Sequence, residues 1–112
     1  QFIRVEMRRG RGPSVSVPQF RVLTFLGRTG GASLSATADR VGLSLPAMSR
    51  LVDGLVDRGL VRREESSEDR RRVVLRATSR GTGFVRAARR TAQSRLAQAL
   101  GALPVAQRAE VA

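Results

Sequence analysis

The chemistry open to this chain is bounded first by what it lacks. Among its 112 residues there is no cysteine and no histidine, which excludes a thiolate nucleophile, a disulfide, a thiol redox switch and an imidazole base. The nine acidic residues are scattered or stand beside arginines, and none form the paired carboxylates that general acid and base catalysis requires. No enzyme, cofactor or metal site is therefore expected. What the chain has in quantity is guanidinium: lysine is absent, the 21 basic residues are all arginine, and the formal net charge is +12. That charge suits a polyanionic partner, of which nucleic acid is the most frequent. Arginine bias with no Lys, Asn, Tyr or Trp is also what GC-rich codon usage leaves behind, so position has to carry the argument.

The densest charge lies in SSEDRRRVVL, residues 66–75, where Glu68 and Asp69 precede Arg70, Arg71 and Arg72 and a run of β-formers follows. Such a segment is either a solubilising surface loop or a tip between two strands that enters a groove of nucleic acid. Its neighbours favour a hairpin. Leu60 to Arg63 reads as a strand, the polar stretch as its tip, and Arg72 to Ala77 as the return strand, with Val73 and Leu75 alternating against Val74.

The elements that would position this tip can be read outward from it. Ahead of it, Ser44 can cap a helix with Pro46 in its first turn, and Met48, Leu51, Val52 and Leu55 fall on one face before Gly59 ends it. The opposite face carries Pro46, Ala47, Ser49, Arg50 and Asp53, small or polar where a reading helix must approach base edges. A shorter helix, ATADRV, is expected before it, capped by Ser35 after a very short strand at Leu34 and ended by Gly42. Earlier still, Ser16 and Pro18 open a core helix expected to stop at Gly27. The stretch QFIRVEMRR reads as the last turns of a helix with no cap before it, and GRGPSVSVP as a linker, so the chain looks like part of a longer protein. After the hairpin, Phe84, Val85, Ala88, Ala92, Leu96, Ala99 and Leu100 keep a helical period, and another helix opens at Leu103 and Pro104.

The expected fold is mainly α with a small β-hairpin wing: a single domain over 1–112, with a helix end and linker over 1–15, a winged helix-turn-helix over 16–78, and long helices over 79–112. No stretch reaches the roughly 20 apolar residues that span a bilayer, and no leader-like segment opens the chain, so a cytoplasmic protein without a membrane partner is the default.

From VPQFRVLTFL through LSLPAMSRLVDGLVDRGLVRR to EDRRRVVLRATSRG, the chain resembles the MarR-type winged-helix transcriptional regulators. The most specific part is Asp69 and Arg71 one residue apart, followed by Leu75, Thr78 and Gly81, which is similar to that family's D-x-R…L-x-x-T-x-x-G pattern. Thr37 departs from it, standing where the family usually has leucine, and this would loosen packing there. The resemblance implies that Arg71 enters a minor groove with Asp69 orienting it, that the helix opened by Ser44 lies in the adjacent major groove, and that N- and C-terminal helices form a dimerisation region. It also implies an effector in a crevice beside that region, for which this chain offers arginines but no Tyr, Trp or His. A narrow minor groove has enhanced negative potential, and guanidinium is weakly hydrated, so the pairing is physically consistent.

Under this reading the DNA contacts are Ser44, Pro46, Ala47, Ser49, Arg50, Asp69, Arg70, Arg71 and Arg72. Arg50 reads a guanine, touches a phosphate, or pairs with Asp53; Arg70 and Arg72 touch phosphates, or Arg72 is a solvent-facing strand residue. Asp53 is expected to orient an arginine, Arg62 and Arg63 to face phosphate or be neutralised by Glu64 and Glu65, and Arg86, Arg89, Arg90 and Arg95 to form a solvated face. The implied function is a homodimeric, sequence-specific regulator of double-stranded DNA, a repressor on an inverted repeat, released by a small-molecule effector. Its rivals are a basic architectural protein that holds DNA without reading it and a winged helix used for protein assembly.

Overall fold

The computed structural model describes residues 4–8, 11–66, 68–69 and 71–101. Ser16 opens the first helix, α1 (Val17–Thr29), through a reciprocal cap: its hydroxyl accepts from the Gln19 N–H and the Gln19 side chain accepts from the Ser16 N–H. Gly27 does not end this helix. It runs on to Gly30, whose φ of 74° is the left-handed conformation that terminates a helix at low cost for glycine alone.

The next helix, α2 (Leu34–Val41), is capped by Ser33, whose hydroxyl accepts from the Ala36 N–H at 3.0 Å. Ser35 is therefore not the cap, and the extended residue before α2 is Ala32, which exchanges backbone hydrogen bonds with Leu75. Two serines flank Leu34, and α2 takes the first of them as its cap, directly after Ala32 has joined the sheet. Thr37 is fully buried, yet its packing is not loosened by an orphaned hydroxyl, which donates to the Ser33 carbonyl at 2.7 Å. Helix α3 (Leu45–Asp57) follows with Ser44 as its cap and proline in its first turn, and Gly59 takes a φ of 74° just beyond it.

Strands β1 (Val61–Glu65) and β2 (Val73–Ala77) form the antiparallel hairpin, pairing Val61 with Ala77 and Glu65 with Val73. Leu75 is buried but Val73 is exposed, because it lies two residues further toward the tip, past the edge of the core. Helix α4 (Ser79–Gly101) completes this order.

The N-terminal segment departs from expectation. Residues 4–8 are not the end of a helix but a strand, βN (Arg4–Arg8), paired antiparallel with another, βC (Arg11–Ser16), in the stretch expected to be a linker. An uncapped helical stretch this short has little stability of its own, and Val5 and Met7 alternate with charged residues at the period of a strand. The pairing is anchored by Val15, which is fully buried in the core. The helix expected from Leu103 and Pro104 lies outside the described residues.

One core joins all of this. Val22, Leu23 and Leu26 of α1, Ala38 of α2, Met48, Val52 and Leu55 of α3, Leu60, Val61, Leu75, Phe84 and Val85 bury together, and Phe84 meets Phe20 edge to face at 6.3 Å. Burying one such leucine stabilises the fold by about 2 kcal/mol. Beyond Ala88, α4 leaves this core: Ala92, Leu96 and Ala99 are exposed, Leu96 by 59%. No helix among the described residues is long and apolar enough to cross a membrane.

The junction between hairpin and α4 explains the Thr-x-x-Gly spacing. Thr78 donates its N–H to the Leu60 carbonyl at 3.0 Å and its hydroxyl to the Gly59 carbonyl at 2.6 Å, while that hydroxyl accepts from the Gly81 N–H at 3.0 Å. Gly81 is buried against the Leu60 carbonyl so closely that an added methyl would overlap it. Gly81→Ala is accordingly expected to lower stability by about 1–3 kcal/mol in urea unfolding. Gly83→Ala, whose methyl would meet nothing within 4 Å, is expected to raise it by up to about 1 kcal/mol. Equal effects of the two substitutions would refute this account of Gly81.

Candidate nucleic-acid interface

The leading turn of α3 is built by Ser44 and Pro46. The Ser44 hydroxyl accepts from the Ala47 N–H at 3.3 Å, and Pro46 occupies a position whose missing N–H would have had no helical partner. The buried face of the helix is Met48, Val52 and Leu55, so the opposite face is left to solvent. There Ser44, Leu45, Pro46 and Arg50 are exposed, and Ala47 and Ser49 are half-buried. The helix dipole makes this turn electropositive.

The tip of the hairpin is held by its own backbone and one carboxylate. Ser66 donates to the Arg72 carbonyl and Arg72 to the Asp69 carbonyl, both at 2.9 Å. Asp69 Oδ1 accepts from the Arg71 backbone N–H at 3.0 Å and meets Arg71 Nε at 3.4 Å. Asp69 thus folds the tip through the local bond that aspartate makes two residues on, and the same oxygen steadies the guanidinium. The Arg71 side chain is nevertheless 92% exposed, which leaves its terminal nitrogens free to donate outward. Arg72 is exposed beside it, and Arg70 lies outside the described residues.

These parts face one groove of about 640 Å³, bounded by Ser33, Leu34 and Ser35 at the start of α2, Leu45 of α3, and Ser66, Arg71, Arg72, Val73 and Val74 of the hairpin. The structure therefore brings Leu45, at the start of α3, and Arg71 and Arg72 of the tip to one groove, with Arg50 a turn further along the helix and outside its lining.

Other ionic contacts were not legible beforehand. Asp53 pairs with Arg63, not with Arg50, because β1 runs back beside the end of α3 and carries Arg63 to it. Among the described residues Arg50 makes no ion pair. On the other face of the hairpin Glu64 takes Arg62 and, at 2.6 Å, Arg76, whose guanidinium also donates to the Gly30 carbonyl. Arg62 and Arg63 are thus neutralised, but by Glu64 and Asp53 rather than by Glu64 and Glu65.

Away from the groove, a cavity of about 430 Å³ lies between α1, α2 and α4, lined by Phe20, Arg21, Thr24, Phe25, Arg28, Arg40, Val41 and Arg89. The Arg40 guanidinium carbon stands 5.8 Å from the centre of the Phe25 ring. Arg86, Arg89, Arg90 and Arg95 are all exposed, as expected of a solvated face, although Arg89 borders this cavity as well.

A family model described as MarR family matches residues 14–72. An uncharacterized HTH-type transcriptional regulator of Mycobacterium bovis is 36% identical over 102 residues, which is 89% of this chain and 71% of that protein. Among solved structures, the YusO protein of Bacillus subtilis superposes with a TM-score of 0.80 at 24% identity, over 87% of this chain and 69% of its own. FabT of Streptococcus pneumoniae, solved in complex with DNA, superposes with a TM-score of 0.67 at 18% identity, over 87% of this chain and 68% of its own.

Hydrogen bonds from Arg62 and, second, Arg76 hold the Glu64 carboxyl below the usual 4.5 of glutamate. A carboxyl lowered by folding contributes stability that is present above its unfolded pKa and is lost as pH falls through its folded one. An NMR titration of the Glu64 carboxyl should give a midpoint below 4.5. Arg62→Gln should raise that midpoint more than Arg76→Gln; an unmoved midpoint in both variants would refute the bridge.

Proposed function

The chain belongs to the MarR family, and from that premise we propose that it is a sequence-specific regulator of transcription that binds double-stranded DNA as a homodimer and represses by occluding a promoter. The observation that carries this reading is an outward Arg71, steadied by Asp69, lining the same groove as the start of α3, whose leading turn is exposed.

In this reading α3 enters a major groove. Ser44, Pro46, Ala47 and Ser49 let it approach closely, and Arg50 donates to a base edge or a phosphate. Arg71 enters the neighbouring minor groove, where negative potential is concentrated; Arg70 and Arg72 neutralise phosphates. Asp69 remains with Arg71, since an unpaired carboxylate beside a duplex is repelled. FabT, which shares the fold and was solved in complex with DNA, supports DNA binding by analogy.

Dimerisation is supported by the exposed apolar positions Ala92, Leu96 and Ala99 along α4, which another copy would cover. Two-fold symmetry then sets two reading helices about 34 Å apart and asks for an inverted repeat. The arginine-lined cavity between α1, α2 and α4 supports an anionic effector with an apolar body, regulating through different affinities for DNA-competent and incompetent arrangements. Nothing in the role calls for catalysis, a cofactor or a membrane, and it places the protein in the cytoplasm.

The test is selection of duplexes from a random pool at physiological salt, followed by sequencing. An inverted repeat with a fixed half-site separation is expected. A featureless pool bound only at low salt would replace the regulator with an architectural protein. On the selected operator Arg71→Ala should weaken binding roughly tenfold or more with an unchanged melting temperature; unchanged affinity would remove the wing from the interface.

A further inference from the structure

Three large apolar side chains are exposed among the described residues, Leu45, Val73 and Leu96, and two of them line the same groove. Leu34 and Val74 border it as well, so its apolar lining runs from the start of α2 across the start of α3 to the return strand. Arg71 and Arg72 complete it on the side of the tip, and among the described residues no acid lines it.

The backbone adds a further feature. Leu75 exchanges hydrogen bonds with Ala32 on the side of β2 away from β1. Residues of an antiparallel strand face their partner strand alternately, so Val73, two residues from Leu75, also turns its N–H and carbonyl away from β1. Beside Leu75 this edge is covered by Ala32; beside Val73 it is open, because the chain has curled into α2 at Leu34. The groove lies where a neighbouring strand would have continued.

A strand edge with apolar pockets beside it takes up extended peptides, whose main chain bonds to the edge while alternate side chains fill the pockets. We propose that the groove docks an extended acidic segment of a partner protein, which adds to the edge at Val73, seats apolar residues against Leu34 and Leu45, and pairs its acids with Arg71 and Arg72. Charge selects the occupant, since a second copy of this chain, at +12, is repelled by the same arginines. Duplex DNA satisfies the arginines, but it offers no strand to the edge and little apolar surface to Leu34, Leu45 and Val73. The regulatory consequence rests on the DNA-binding reading above: Arg71 cannot serve a duplex and a peptide together, so the docked segment displaces DNA.

The test uses the protein free of DNA. Selection from a library of random peptides at physiological salt is expected to enrich acidic sequences with apolar residues at alternate positions. The enriched peptide should shift the NMR signals of Leu45 and Val73, and Leu45→Ser should weaken it on the order of tenfold with an unchanged melting temperature. N-methylation of one set of alternate peptide amides should abolish binding and methylation of the other set should leave it intact, because an added strand bonds through one edge. Equal effects of the two sets, or a pool enriched in acids alone, would overturn the proposal. So would a library that yields no binder at this groove while duplex DNA shifts Leu45 and Val73; the groove would then belong to the DNA interface only. A peptide that binds as described to a protein that selects no operator would uphold the docking site and remove the regulator reading.

Discussion

The Leu60 carbonyl is the point on which the arrangement of this domain turns. It accepts from the Thr78 N–H, and Gly81 lies directly against it, so one oxygen joins the turn that ends α3, the return strand of the hairpin and the first turn of α4. The contact works because the elements leave no side chain between them. A glycine on α4 allows the approach, and a threonine just before that helix satisfies both the Gly59 carbonyl behind it and the Gly81 N–H ahead. Buried backbone groups must find partners, and here they find them in one another. The relative positions of α3 and the arginine tip follow from this junction, since each leaves it in a fixed direction.

Ion pairs add orientation to that frame more than stability. Arg63 with Asp53 ties the outgoing strand to α3, and Arg76 with Glu64 and the Gly30 carbonyl ties the return strand to the turn after α1. All of these groups are substantially exposed, and exposed pairs contribute little to folding free energy. They brace a two-stranded hairpin that is only marginally stable by itself. Most of the net positive charge remains unpaired beyond them, available to a polyanion.

Much of the fold could be read in the residues alone, for identifiable reasons. Ser44, Pro46 and Gly59 bound α3 because cap, first-turn proline and left-handed glycine each act locally. The hairpin was legible from its run of β-formers, and Asp69 beside Arg71 from spacing. Where two local solutions compete, contact with the rest of the chain decided, as with a strand over a helix at Arg4–Arg8, whose partner strand carries the buried Val15. The partners of Asp53 and Glu64 were hidden because they depend on hairpin register, which determines which face each arginine takes.

The long last helix has a mechanical side. Its first turns are clamped to the core by Gly81, Phe84, Val85 and Ala88, and the stretch beyond them projects about 20 Å from the body. It is a lever arm with its fulcrum at Ala88, where the helix leaves the core. A tilt of roughly 10° there moves the far end by about 3.5 Å, close to one base-pair step along a duplex. Anything that grips the far end therefore sets the pitch of the winged helix to within one such step.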